Sequence, residues 1–277
     1  EGIDERDRVA AWATVGTDQP YSRGGDPRII VGGKGERVWD IKGKEQVGAV
    51  SGGGWTVNIG YGRKRMGEAI SDAVTKMCFF GGTMGTIPGA TFADMLIDKM
   101  PGLDRVYYAN SGSEANEKAF KMVRQISHKH HGGKKSKILF RERDYHGTTI
   151  ATLSAGGQEE RNAQYGPFTP GFVAVPHCLE YRSQDGSTGE AYTAASLKAI
   201  EDVILREGAD TIGSLCLEPI TPGVCIILPP VGHWDGVQQL CKKYEILLHI
   251  DDSVCGVGRT GTSFGYQQFY LTPPILP

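Results

Sequence analysis

The stretch LLHIDDSVCGVGRTG, residues 247–261, runs an apolar strand into two adjacent carboxylates and then into a glycine-rich turn. Asp251 and Asp252 at the exit of a buried strand are costly unless a cation meets them, because a desolvated carboxylate shifts its pKa or finds a partner. A metal, a nucleotide ribose, an arginine and a protonated heterocycle all satisfy that need. Ahead of this strand the chain alternates: KILFRER and FVAVP read as strands, AYTAASLKAIEDVILREG as a helix, TIGSLCLEPI as a strand, GHWDGVQQLCKKY as a helix. That rhythm predicts an α/β fold, a mostly parallel sheet with helices on both faces and ligands at the carboxyl ends of the strands.

Farther upstream, DRVYYAN reads as a short strand. GSEANEKAFKMVRQISHKHHGG reads as a helix with Ala115, Ala119, Val123 and Ile126 on one face and Gly132 as its stop. Met66–Phe79 carries apolar residues at helical spacing, and residues 28–50 hold short alternating runs separated by GGKG and KGK, a small antiparallel meander. We expect residues 1–60 to form an N-terminal segment with the meander and 61–277 a large α/β domain.

Composition narrows the function. Charged residues make up 22% and the net charge is -2, so no basic field exists for a polyanion and no nucleic-acid partner is expected. The acidic opening lacks the basic start and apolar run of a signal peptide, and no window approaches ~18 consecutive apolar residues, so a cytoplasmic protein without a membrane partner is expected. The six cysteines, Cys78, Cys178, Cys216, Cys225, Cys241 and Cys255, include no CxxC pair and read as buried free thiols. The 39 glycines are about twice the ~7% average, marking backbone that turns sharply or approaches a ligand.

The strand exits carry the chemistry. In YYANSGSEANE a strand ends at Asn110 and a helix opens through Ser111, Gly112 and Ser113; amide groups at a helix start make a phosphate cradle, although either serine also suits a plain helix cap. RERDYHGTTIATLSAG places Tyr145, His146 and Gly147 after a strand, where the tyrosine could stack on a planar ligand or join the core. LCLEPITPG ends a strand on Glu218. Gly256, Gly258 and Gly261 spell the GxGxxG of a dinucleotide turn, the remote alternative of a nicotinamide oxidoreductase, but no amphipathic helix follows and no acid lies ~20 residues on. The histidines of HKHH have a sufficient reason in the helix dipole, and no metal is expected.

NSGSEA, YHGTT, EPI and IDDSVCGVGRTG, in this order on this strand pattern, resemble the class III aminotransferases, which use pyridoxal 5'-phosphate on the aspartate aminotransferase fold, pyridoxal phosphate fold type I. The resemblance covers essentially the whole chain and is nearest the ω-aminotransferases of the taurine–pyruvate kind. It implies a homodimer acting on an ω-amino donor such as taurine or β-alanine with pyruvate or another 2-oxo acid. It implies Asp251 as catalytic partner of the pyridine nitrogen, Gly112, Ser113 and Ser111 at the phosphate, Tyr145 on one ring face with His146 and Gly147 beside it, and Glu218 orienting the surroundings. Trp55 corresponds to the substrate entrance, with a structural tryptophan as the alternative. Ser253 stands where the family has a valine on the other ring face, Asp252 where it has a glutamate, and Gly48 where it has an aspartate. No lysine here occupies the family's Schiff-base position, and the family's C-terminal small domain has no counterpart. The expectation is a truncated, inactive part of an aminotransferase, with a noncatalytic cofactor- or partner-binding relative as the alternative.

Overall fold

The computed structural model describes residues 29–48, 55–81, 84–223 and 226–271. The opening residues, Cys225 and the TPPILP ending lie outside the described residues. The chain divides into two compact units, residues 1–84 and 85–277.

In the first unit, strands β1 (Ile30–Lys34), β2 (Arg37–Asp40) and β3 (Glu45–Val47) form the antiparallel meander in that order. Asp40 accepts from the Lys42 and Lys44 amides and so builds the turn between β2 and β3. Val38 is buried, pairing across to Gly33 on one side and Gln46 on the other. Helix α1 spans Lys64–Lys76, starting and stopping slightly earlier than its apolar spacing suggests.

The second unit holds a four-stranded sheet, β5-β4-β6-β7, every pair parallel: β4 (Lys137–Arg141), β5 (Phe172–Val175), β6 (Ile212–Leu217) and β7 (Leu247–Ile250). All six residues of β6 are buried, the signature of a central strand covered on both faces. Period two divides its side chains. Leu215 and Leu217 join the core beneath helices α6 (Gly189–Glu207) and α7 (His233–Lys243), with Ile200, Ile204, Trp234 and Val237. Cys216 points the other way, into the layer of helix α3 (Gly112–His131) with Phe120, Val123, Ile138 and Phe140. Each such apolar side chain contributes about 1.5–3 kcal/mol by burial. From β4 the chain steps outward to β5, then returns to β6 and proceeds to β7, so the connections reverse direction between β4 and β6, and their carboxyl ends open there.

Three local readings are corrected. DRVYYAN forms no strand: Lys118 Nζ takes the Tyr108 carbonyl and the Asn110 amide donates to Glu114, so side chains occupy groups that a ladder would use. A helix, α2 (Ile87–Lys99), stands where none was expected, capped by Thr86, which accepts from the Gly89 amide, with proline in its first turn. The buried face of α3 comprises Asn116, Ala119, Phe120, Val123 and Ser127, whereas Ala115 is exposed and Ile126 half-buried. Two short helices, α4 (Ile150–Ser154) and α5 (Glu159–Asn162), follow the β4 exit.

At the opposite end of the sheet, Lys135 Nζ donates to the Tyr244 and Glu245 carbonyls at 2.7 and 3.0 Å. Its charge thereby ties the entrance of β4 to carbonyls freed at the end of α7.

Candidate functional site

Asp251 leaves β7 as a buried residue, and each carboxylate oxygen meets two donors. Oδ2 accepts from Asn116 Nδ2 at 2.8 Å and from His146 Nδ1 at 2.9 Å. Oδ1 accepts from the Ser253 amide at 3.1 Å and the Ser253 hydroxyl at 2.6 Å. Burial alone would raise its pKa, but hydrogen bonds and the charge of His146, with Ser253 and Asn116, hold it below the ordinary carboxylate range. Asn116 is oriented by its other contact: the same Nδ2 donates to the His146 carbonyl at 2.9 Å, so both neighbours of that amide nitrogen are acceptors. Its place on the apolar face of α3 was the available signal, since a buried asparagine requires a polar partner; sequence reasoning passed over it.

Asp251 and the amino end of α3 open onto one cavity of about 190 Å³, lined among others by Gly112, Asn116, Asp251, Asp252, Ser253 and Tyr266. No lysine lines it. At the helix start the Ser111 hydroxyl accepts from the Glu114 amide, making Ser111 the N-cap. The Gly112 and Ser113 amides are the first of the helix and have no intrahelical acceptor. Ser113 Oγ accepts from the Thr148 amide at 3.2 Å, pinning the β4 exit against the helix. Gly147 makes that contact possible. It is buried with φ +131°, and a Cβ there would lie 2.3 Å from Ser113 Oγ and 2.7 Å from Thr152 Oγ1.

Behind the exit lies a second polar core that the sequence did not reveal. Arg141, wholly buried, donates to Asp144 Oδ1 at 3.0 Å and to the Glu218 carbonyl at 2.7 Å. Asp144 Oδ2 accepts the Glu218 amide at 2.9 Å, and Glu218 Oε2 accepts the Tyr145 amide at 3.0 Å. This lattice fixes the carboxyl ends of β4 and β6 to each other and sets the direction of Tyr145. The half-buried Tyr145 ring has the Arg161 guanidinium 5.1 Å from its centre. Burial, followed by the neighbouring Asp144 charge, pushes the Glu218 carboxyl well above its usual range. Burial also pushes Asp252 up to about 6; its Oδ2 accepts from the Tyr266 amide and its Oδ1 is buried without a partner.

The structure thus brings together Ser111, Gly112, Ser113, Tyr145, His146, Gly147, Glu218, Asp251 and Ser253. Trp55 belongs to the first unit, at φ +63° and 41% exposed. No helix opens on Gly256, Gly258 or Gly261; the run is turns and bends leading to a 3-10 helix at Gly265–Phe269. His128, His130 and His131 occupy the last turn of α3, whose cap Gly132 is left-handed at φ +58°. Among the described residues no group of three or more His, Cys, Asp or Glu is placed to hold a metal ion, and no helix is long and apolar enough to cross a membrane.

A buried anionic carboxylate and a helix amino end facing one cavity suit a ligand with a cationic ring at one end and a phosphate at the other. Comparisons with known proteins agree. The family model described as Aminotransferase class-III matches residues 21–276. A hypotaurine/taurine–pyruvate aminotransferase of Paracoccus denitrificans is 58% identical over 270 residues, covering 98% of this chain and 58% of that protein. A taurine–pyruvate aminotransferase of Bilophila wadsworthia is 53% identical over 251 residues, 91% of this chain and 55% of that protein. An (S)-enantioselective omega-transaminase from Thermomicrobium roseum superposes with a TM-score of 0.91 at 33% identity, over 98% of this chain and 60% of that one. An omega transaminase from Pseudomonas jessenii in complex with PMP gives 0.92 at 30% identity, over 99% and 61%. The chain therefore spans less than two thirds of the length of the relatives it matches.

Proposed function

The chain belongs to the class III aminotransferases, which depend on pyridoxal 5'-phosphate, and from that premise we propose that its residues hold this cofactor for transfer of an amino group from an ω-amino donor of the taurine or β-alanine type to pyruvate. The observation that carries the reading is the single cavity shared by Asp251 and the start of α3. Gly112 and Ser113, with Ser111 beside them, would hold the phosphate through helix-end amides. Asp251 would hold the ring nitrogen protonated, because a buried anion favours the charged form of a neighbouring base. Tyr145 would face one side of the ring and Ser253 the other, while Glu218 fixes Tyr145 through its amide. Trp55 is assigned to the substrate entrance. When bound, the cofactor supplies the electron sink that stabilises the carbanion left by loss of the amine's α-proton.

Turnover also needs an amine held over the ring to carry the cofactor and move the proton. No lysine of the described residues lines the cavity, so we assign cofactor binding to these 277 residues and turnover to a chain that brings such a lysine to the ring. A homodimer in the cytoplasm completes the proposal; the dimer is checked by sedimentation with the cofactor bound.

The test is titration of the 277-residue chain with pyridoxal phosphate, followed by visible absorbance. Saturable one-to-one binding weakened at least about tenfold, ~1.4 kcal/mol, in Asp251→Asn is expected. Unchanged affinity in that variant would remove Asp251 from the ring nitrogen. In a chain that carries the lysine, alanine should form from pyruvate with taurine or β-alanine; formation only with unrelated amines would refute the donor class. Saturable binding without turnover even there would favour a noncatalytic cofactor-binding relative.

A further inference from the structure

Asp251 reaches the cavity with its acceptor positions already filled. An ionised carboxylate offers about four lone-pair positions, two on each oxygen. Oδ2 is taken by Asn116 Nδ2 at 2.8 Å and His146 Nδ1 at 2.9 Å, and Oδ1 by the amide and the hydroxyl of Ser253 at 3.1 and 2.6 Å. A ring nitrogen that is to bond this carboxylate must therefore displace one of four donors.

The four differ in what holds them. Asn116 is buried on α3, and its Nδ2 serves both Asp251 and the His146 carbonyl, so turning it breaks two bonds. The His146 ring is buried, and a rotation that takes Nδ1 off Asp251 leaves an N–H that water does not reach. The Ser253 amide belongs to the backbone two residues past Asp251. Only the Ser253 hydroxyl hangs on a single rotatable bond at an exposed residue, where water takes over its hydrogen bond when it turns.

That hydroxyl also stands in the ligand's space. Ser253, Gly112 and Asp251 line the same cavity, and Ser253 Oγ lies 3.2 Å from where a Cβ on Gly112 would be. It thus occupies the interval between the carboxylate and the amino end of α3.

We propose that the Ser253 hydroxyl is a competitor for the ring nitrogen: it caps Asp251 Oδ1 in the unliganded chain and swings aside before the cofactor can bond there, which makes Ser253 a positioning residue that sets cofactor affinity. The inference rests on assigning the cavity to pyridoxal phosphate with its ring nitrogen on Asp251. In the empty site the contact keeps a buried anion paired. In the filled site it lowers affinity, because a hydroxyl bond to a charged acceptor is given up for one to water. A residue without a hydroxyl at 253 leaves an Oδ1 lone pair facing the cavity. That lone pair serves a ligand with an N–H donor and is of no use to a ligand without one.

The test is calorimetric titration of the 277-residue chain as wild type, Ser253→Ala and Ser253→Thr, each with pyridoxal phosphate and with the analogue that carries CH in place of the ring nitrogen. Ser253→Ala should bind pyridoxal phosphate about tenfold more tightly than wild type, ~1.4 kcal/mol, and the analogue no more tightly. Ser253→Thr keeps the hydroxyl and should stay near wild type for both ligands. Urea unfolding of each variant checks that the fold is intact. The proposal is overturned if Ser253→Ala leaves pyridoxal phosphate affinity unchanged or lowers it, or if Ser253→Thr tightens binding as alanine does. It is also overturned if alanine tightens the analogue equally, which would make the effect one of space beside the ring. Wild-type binding that weakens in Asp251→Asn yet is indifferent to Ser253→Ala sinks this proposal alone. Absence of binding, or of any effect of Asp251→Asn, sinks the cofactor reading and this proposal with it.

Discussion

Replacing Asn116 tests whether the second unit is organised around Asp251. The side chain is 4% exposed, and its Nδ2 serves two acceptors, the Asp251 carboxylate at 2.8 Å and the His146 carbonyl at 2.9 Å. A hydrogen bond to a charged group contributes about 1.5–3 kcal/mol and one to a neutral carbonyl about 0.5–1.5, so Asn116→Ala should cost about 2–4 kcal/mol. Asn116→Asp is more informative because it reverses the sign of the contact. A second carboxylate would stand against Asp251, its pKa would rise above the ordinary ~3.9, and stability would fall as pH climbs through that range. Urea unfolding of wild type and both variants at pH 5 and pH 8 is the assay, with the slope checked for constancy. The aspartate variant should lose distinctly more at pH 8. Equal losses at the two pH values, or a cost below about 1 kcal/mol for alanine at unchanged slope, would refute the view that Asn116 braces an ionised Asp251.

Three other outcomes follow from single residues. His233 is buried with both ring nitrogens unpartnered, and burial, then the Arg141 charge, lowers its pKa to about 3. The neutral form is favoured in the fold, so stability is lost as pH falls from the unfolded value of ~6.5 toward 3, by about 2–3 kcal/mol at pH 4.5; His233→Phe should flatten that decline in urea titrations, and an unchanged slope would argue against it. Asp252 has the opposite sign, since burial raises it to about 6 and the ionised form at pH 8 weakens the fold. After allowance for partial exposure, Asp252→Asn should stabilise by about 1–2 kcal/mol at pH 8 and leave stability at pH 4 nearly unchanged, which thermal melts at the two pH values decide. Gly147→Ala should lower cofactor affinity more than tenfold and destabilise by about 1–3 kcal/mol, because it combines positive φ with a backbone-driven clash on Ser113; wild-type affinity in a folded variant would show that the 113–147 contact is dispensable.

Much of the sheet is legible because β4, β5, β6 and β7 are short apolar runs separated by helices with clear stops, and burial on both faces leaves few other arrangements. DRVYYAN has the same β-rich composition yet forms no strand, since pairing depends on neighbours that composition does not specify. Helix α2 was missed although Thr86 and Pro88 mark its start, because its apolar residues are too many to stand out as one stripe. The candidate site was readable where chemistry sits at a strand exit, as at Asp251, Tyr145 and Ser113. It was opaque where the meaning of a residue lies in a distant partner. Asn116 and Asp251 are 135 positions apart, and Arg141 finds Thr221 80 positions away. Arg141 looked like any polar residue at the end of a strand, and no local pattern tells a buried arginine from an exposed one.

The separation between Asn116 and Asp251 also dictates an order of assembly. Chains are synthesised from the amino end, so α3 and the β4 exit emerge long before β7. Until Asp251 arrives, the Asn116 amide and the His146 imidazole are committed to an interior that holds no anion for them. An early α3–β4–β5 substructure is therefore left with unpaired donors at its mouth, and β7 both adds to the apolar layer and satisfies them. Occupancy of the cavity by its ligand would thus report the docking of β7. Cofactor added during refolding should bind only after β7 docks and should slow unfolding more than it speeds folding, as expected for contacts made late, beyond the folding transition state.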